Sequence, residues 1–123
     1  MIIWDPETGK QLGKTLIGHK QWITYLSWQP LHLNEECRYL ASSSKDTTIK
    51  IWDTVMFTCV RNLTGHTQSV TCIRWGGKNL IYSSSQDRTI KVWRSEDVSN
   101  NFIYFQNFSG WTTVFKITSI LFL

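Results

Sequence analysis

Apolar residues in this chain come in short bursts, each cut off by a polar step. The bursts "WITYLSW", "YLASSS", "TIKIWD" and "FTCVRNL" follow one another between residues 22 and 63. They are rich in Ile, Val, Thr, Tyr and Trp, side chains that suit a pleated surface, and none carries a helical period. Four strands are therefore expected there, and no helix. Alternation of apolar and polar positions within the bursts is blunted, which predicts strands covered on both faces by neighbouring sheets.

The pattern then repeats. "GHKQWITYLSWQP" (18–30) aligns with "GHTQSVTCIRWGG" (65–77), so that Ile23 meets Val70, Tyr25 meets Cys72, Leu26 meets Ile73 and Trp28 meets Trp75. "RYLASSSKDTTIKIWD" aligns in turn with "NLIYSSSQDRTIKVWR". Asp46 and Asp87 stand 41 positions apart, as do Trp52 and Trp93, whereas His19 and His66 stand 47 apart. The difference is an insertion, "LHLNEE" (31–36), between the first and second strands of the first unit. A half-unit opens the chain, because "IIWDPETGKQLGKTLIGH" aligns with "KIWDTVMFTCVRNLTGH". Four segments are expected: 1–18, two outer strands of a partial unit; 19–65, a complete unit; 66–108, a second unit whose last strand would be "FIYFQNF" (102–108); and 109–123, a divergent apolar tail. After Trp93 the likeness between copies ends, and Gly110-Trp111 stands where a Gly-His pair would fall.

Four-stranded units at a period of about 40–45 residues, marked by Gly-His and Trp-Asp, resemble the WD-repeat β-propeller family. The resemblance covers residues 1 to about 94. It implies an all-β fold: a partial propeller of about two four-stranded antiparallel blades plus a half blade. It further implies that His19, Ser42, Asp46 and Trp52 form one buried structural tetrad, and that His66, Ser83, Asp87 and Trp93 form a second. In each, the indole N–H would point to the hydroxyl, the hydroxyl to the imidazole, and the Asp of the tight turn to the other side of the ring. Likeness to other members places partner-binding positions on the narrower face, at Trp22, Thr24 and Lys45 in one blade and Ser69, Thr71 and Gln86 in the next. Trp22 is the leading candidate, since exposed Trp is enriched at binding hot spots; its competing reading is packing on the neighbouring blade. Lys45, Arg88 and Lys91 read as solvated charges first, and as contacts to RNA or an acidic partner second.

Ser, His and Asp are also the members of a hydrolase triad. Nothing like a G-x-S-x-G elbow surrounds Ser42 or Ser83, and a catalytic set has no reason to occur twice with the same Trp at the same offset. Polar atoms inside a thin stack of sheets must satisfy one another, since each orphan costs about 1–3 kcal/mol. The expectation is a structural role and no enzyme activity.

Composition changes this picture little. Hydrophobic content of 41% and charged content of 18% are those of a folded domain, and a net charge of +4 permits nucleic-acid or acidic partners without indicating either. Cys37, Cys59 and Cys72 are odd in number, so a disulfide framework is not expected; Cys59 and Cys72, in strand-like runs, are expected as buried free thiols. With His19, His32 and His66 they match no zinc spacing, and no metal or cofactor is expected. "MIIWDPETGK" lacks a signal-peptide pattern, and the apolar run 111–123, which contains Lys116, is short of the roughly 20 residues that span a bilayer. A soluble intracellular protein is expected, with no membrane and no small-molecule substrate.

The loops narrow the family resemblance. "WDPETGKQLGKTLIGH", "LTGHTQSVTCIRWGG" and the "LHLNEE" insertion resemble members that serve assembly of the large ribosomal subunit. That implies protein partners among pre-ribosomal assembly factors, weak or indirect rRNA contact, a nucleolar or nuclear location and a link to Notch signalling. The alternatives are a generic adaptor of a signalling or ubiquitin-ligase complex, and a truncated product without function.

Overall fold

The computed structural model describes the backbone over residues 1–32, 35–77, 79–96 and 100–109, and side chains through Arg94. The apolar tail expected after Ser109, and the side chains of "FIYFQNF", lie outside the described residues. Every described element is a strand. They are β1 (Ile3–Trp4), β2 (Gln11–Leu12), β3 (Ile23–Trp28), β4 (Tyr39–Ser44), β5 (Ile49–Asp53), β6 (Thr58–Leu63), β7 (Val70–Trp75), β8 (Leu80–Ser85), β9 (Thr89–Glu96) and β10 (Asn100–Ser109).

These strands form three antiparallel sheets: the pair β1-β2, the meander β3-β4-β5-β6, and the meander β7-β8-β9-β10. Two four-stranded blades and a half blade are thus present. The registers of the two blades repeat: Leu26 pairs with Ser42 in the first and Ile73 with Ser83 in the second, each just after a shift between the first and third residues of the inner strand. The strands are short because turn residues interrupt them. At the β4–β5 turn Thr47 takes φ +70°, and at the β8–β9 turn Arg88 takes φ +67°. Such angles are costly for residues other than Gly, and costlier still for a β-branched Thr. They persist because Asp46 and Asp87 tie the following residues down, as described below.

The blades stack through their sheet faces. Ala41, Ile49 and Ile51 of the first blade pack with Val70, Ile73, Trp75, Ile81 and Trp93 of the second in one core. Two polar bonds pin the inner strands across this core: Thr24 Oγ1 donates to the Val70 carbonyl at 2.5 Å, and the Trp75 amide donates to Ser27 Oγ at 2.9 Å. On its other face the first blade covers Leu40 and Trp52 with Leu16, helped by Met1, Ile3 and Phe57 from the half blade and an outer loop.

Two expectations need correction. Burial on both faces holds for β4 and β5 but not for β3. Ile23, Leu26 and Trp28 are 37%, 46% and 48% exposed, whereas their counterparts Val70, Ile73 and Trp75 are at 0%, 0% and 7%. One face of β3 packs on β7, but the half blade supplies only two outer strands, so the other face is left largely open among the described residues. Cys59 is exposed because it lies on β6, the outer edge strand, where Thr58, Cys59 and Val60 all face solvent, and Cys72 on β7 is only partly buried. All three cysteines are free.

Equivalent positions in the two blades should therefore differ in energetic weight. Ile73→Ala is expected to lower the unfolding free energy by about 2–5 kcal/mol, the range for a buried aliphatic truncation. Leu26→Ala, half exposed, should cost less than about 1.5 kcal/mol. Urea denaturation checks this, and equal losses at the two sites would refute the burial difference.

Candidate functional site

Each blade builds the same polar chain from four of its segments. In the first, the Trp52 indole donates from Nε1 to Ser42 Oγ at 2.8 Å, and Ser42 Oγ lies 2.7 Å from His19 Nε2. His19 Nδ1 then lies 2.9 Å from Asp46 Oδ2. In the second blade, Trp93, Ser83, His66 and Asp87 repeat these contacts at 2.8, 2.8 and 2.8 Å. The strands explain the convergence: Ser sits on the second strand, Trp on the third, Asp in the turn between them, and His on the loop that enters the blade.

The chemistry of the donors fixes the protons. An indole N–H can only donate, so the Ser oxygen accepts, which frees its single proton for His Nε2. His Nε2 is then an acceptor, and Nδ1 carries the proton that goes to Asp. A neutral imidazole satisfies the whole chain with no atom left over. The titration behaviour agrees: burial pushes the His66 imidazole down from its ordinary value in spite of Asp87 beside it. Burial also opposes the charge on Asp87, yet bonds from Thr89, His66 and the Thr67 amide bring its carboxyl down to about 2. Asp46 is held well below the usual carboxylate range in the same way: burial works against it, and Thr48, the Lys20 amide and His19 prevail. In the second blade the pair is a neutral imidazole donating to a carboxylate, because burial of the His66 ring outweighs the pull of Asp87 on it.

The aspartates do more than hold a ring. Asp46 Oδ1 accepts from the Thr48 amide at 3.0 Å and its hydroxyl at 2.6 Å, while Oδ2 takes the Lys20 amide at 2.9 Å. Asp87 does the same with Thr89 and the Thr67 amide. One carboxylate thus closes the tight turn and clamps the entering loop. Thr48 and Thr89 are members of the network that the sequence reading missed. The signal was present, for a Thr follows each Asp by two positions in both copies, "KDTT" and "QDRT". Asp53 was missed as well: 4% exposed, it accepts two bonds from Arg38 and caps the Val55 and Met56 amides with its other oxygen. The glycine before each His also has a cause. A Cβ on Gly18 would sit 3.1 Å from the end of the Trp52 indole, and Gly65 takes φ +145° beside Trp93.

Ser42 and Ser83 are fully buried, each with an indole N–H on its oxygen. The spacing of a hydrolase triad is reproduced, but with the hydroxyl sealed from solvent. Among the described residues no group of three or more His, Cys, Asp or Glu side chains is placed to hold a metal ion.

The six positions expected to meet partners are not equivalent. Trp22 is 77% exposed, with Lys45 Nζ 4.6 Å from its ring centroid. Thr24 is instead turned between the blades, where it bonds Ser43 and the Val70 carbonyl. Thr71 and Gln86 are exposed and Ser69 is partly buried. Thr71 bonds Ser84 in the way that Thr24 bonds Ser43. Arg88 is exposed, and Lys91 half-buried.

The family model "WD domain, G-beta repeat" matches residues 10–53 and 57–94. Protein Notchless of Drosophila melanogaster is 55% identical over 92 residues, covering 75% of this chain and 19% of that protein. The ribosome biogenesis protein WDR12 homolog of Nematostella vectensis is 37% identical over 91 residues, covering 72% and 21%. Among solved structures, the RRP9 WD40 repeats superpose with a TM-score of 0.73 at 26% identity, over 89% of this chain and 32% of that one. The chain spans about a fifth of the length of the curated relatives it matches.

Acid should destabilise the fold in two stages. His66 has a folded pKa below its unfolded value, so the unfolded state takes up a proton first, and stability falls as pH drops below about 6.5. The aspartates are also depressed when folded. Their contribution is complete above the ordinary value of 3.8 and is lost as pH falls from there toward about 2. Urea midpoints from pH 7.5 to 3 should decline throughout, with the early decline reduced in His66→Gln. A midpoint that rises on acidification would contradict the neutral-imidazole assignment.

Proposed function

The chain belongs to the WD-repeat family, and on that premise we propose that it is a non-enzymatic scaffold for protein–protein contacts in assembly of the large ribosomal subunit. The observation that carries this reading is the 55% identity to Notchless over 92 residues. The ribosome biogenesis relative supports the same setting. The non-enzymatic part rests on chemistry. A serine nucleophile must reach its substrate beside donors for the developing oxyanion, and Ser42 and Ser83 are enclosed with their oxygens already bonded.

The tetrads are read here as structural braces, and the partners as pre-ribosomal assembly factors met in the nucleolus or nucleus. Contact with rRNA would be weak or indirect, since surface lysines are few along the second blade's face, where Ser69 and Gln86 replace Trp22 and Lys45. The link to Notch signalling belongs to the fly relative's name and is a subordinate part of the proposal.

Affinity purification of the tagged full-length gene product from growing cells, followed by mass spectrometry, tests the reading. Large-subunit precursors and their assembly factors are expected in the eluate. Ubiquitin-ligase or signalling subunits without ribosomal precursors would replace it with the generic adaptor.

A further inference from the structure

The two blades share one backbone surface at their inner turns but carry different side chains on it. The Lys45 amide donates to the Trp22 carbonyl at 2.9 Å, and the Gln86 amide donates to the Ser69 carbonyl at 3.0 Å. The same bond closes the same turn, so the second blade forms it with neither an indole nor an ammonium. Lys20 likewise faces Thr67 in the alignment. Trp22, Lys45 and Lys20 are therefore not needed for the blade, and an indole left 77% exposed is the kind of surface feature that calls for another explanation.

Lys20, Gln21, Trp22 and Lys45 line an open hollow of about 290 Å³. Lys45 lies over one face of the indole, where the ring quadrupole holds its ammonium in place. Among the described residues no carboxylate pairs with either Lys20 or Lys45. Asp46, next to Lys45 in sequence, has its oxygens taken by His19, Thr48 and the Lys20 amide. Two unneutralised ammonium groups thus flank a flat apolar surface.

We infer that this hollow is a docking site for a short acidic peptide segment of a partner protein. Its carboxylates would meet Lys20 and Lys45, and its side-chain stems would lie on Trp22. Charge complementarity selects the sign of the ligand. The extent of the patch selects peptide over RNA: a nucleic-acid backbone needs a continuing basic track, and here Thr67, Ser69 and Gln86 interrupt it one blade on, with Arg88 the one exposed base at that turn. The inference rests on the scaffold reading above and deepens it.

The test uses the full chain and three fluorescein-labelled probes: an octapeptide of glutamates and aspartates, its glutamine and asparagine counterpart, and octauridylate. Fluorescence anisotropy at low salt reads binding. The acidic peptide should bind, the neutral one should not, and affinity should fall roughly tenfold or more in Trp22→Ser and again in Lys45→Gln, each of which installs the residue of the second blade. Should Trp22→Ser shift the urea midpoint, Lys45→Gln alone decides. Unchanged peptide affinity in the variants, or tighter binding of octauridylate lost in those same variants, overturns the proposal. Assembly factors that still co-purify when the peptide does not bind would overturn the docking site alone. Peptide binding without such factors would overturn only the ribosomal setting.

Discussion

A sheet stacked between two other sheets has no water to satisfy polar side chains, and the chain of bonds from Trp to Ser to His to Asp answers that constraint. Every donor in it has one acceptor, and the only charge stands at the turn, where backbone amides share it. Because the four residues come from the entering loop, the second strand, the turn and the third strand, satisfying their polar atoms also fixes how those segments lie. The left-handed Thr47 and Arg88 are tolerable because Asp46 and Asp87 hold the residues on either side. The Gly of the Gly-His step is needed because the indole crowds the place of a Cβ at Gly18 and because Gly65 takes a positive φ. Take the network away and the blade keeps its apolar face but loses what specifies its turn and entry.

Stacking supplies the second level of order. The first blade meets the second through a continuous apolar core, with Thr24 and Ser27 marking the register between their inner strands. The contrast between Ile23, Leu26 and Trp28 on one side and Val70, Ile73 and Trp75 on the other shows what a covering blade does to an otherwise equivalent strand. The surface above the turns is independent of this: its backbone is shared, while its side chains differ from blade to blade. Trp22 with its flanking lysines is where that surface differs between the two blades.

Much of this was legible in the residues. Internal repetition marked Asp46–Asp87 and Trp52–Trp93 as equivalent places in a fold, and the family resemblance supplied the tetrads to which they belong. The bursts of β-branched and aromatic residues located the strands. Three matters were hidden for physical reasons. Exposure of β3 depends on what lies beside it, and blunted alternation does not reveal a missing neighbour. Cys59 looked apolar in context because an outer strand has the composition of an inner one. Thr24 looked like a surface residue from its place near a loop, yet its hydroxyl bridges two blades, which only the stacking could disclose. Thr48 and Thr89 were readable too, since each follows its Asp by two positions, but a Thr at the start of a β-rich run reads first as a strand former.

The most direct measurement is a double-mutant cycle in urea on Ser83→Ala and Asp87→Asn. These residues do not touch; only the His66 ring joins them. If the four act as one network, the first substitution removes most of what the second could remove, and the losses in the double mutant should fall short of their sum by about 0.5–3 kcal/mol. Additivity to within about 0.3 kcal/mol would mean that the bonds stand side by side without supporting one another, and the brace would have to be sought elsewhere.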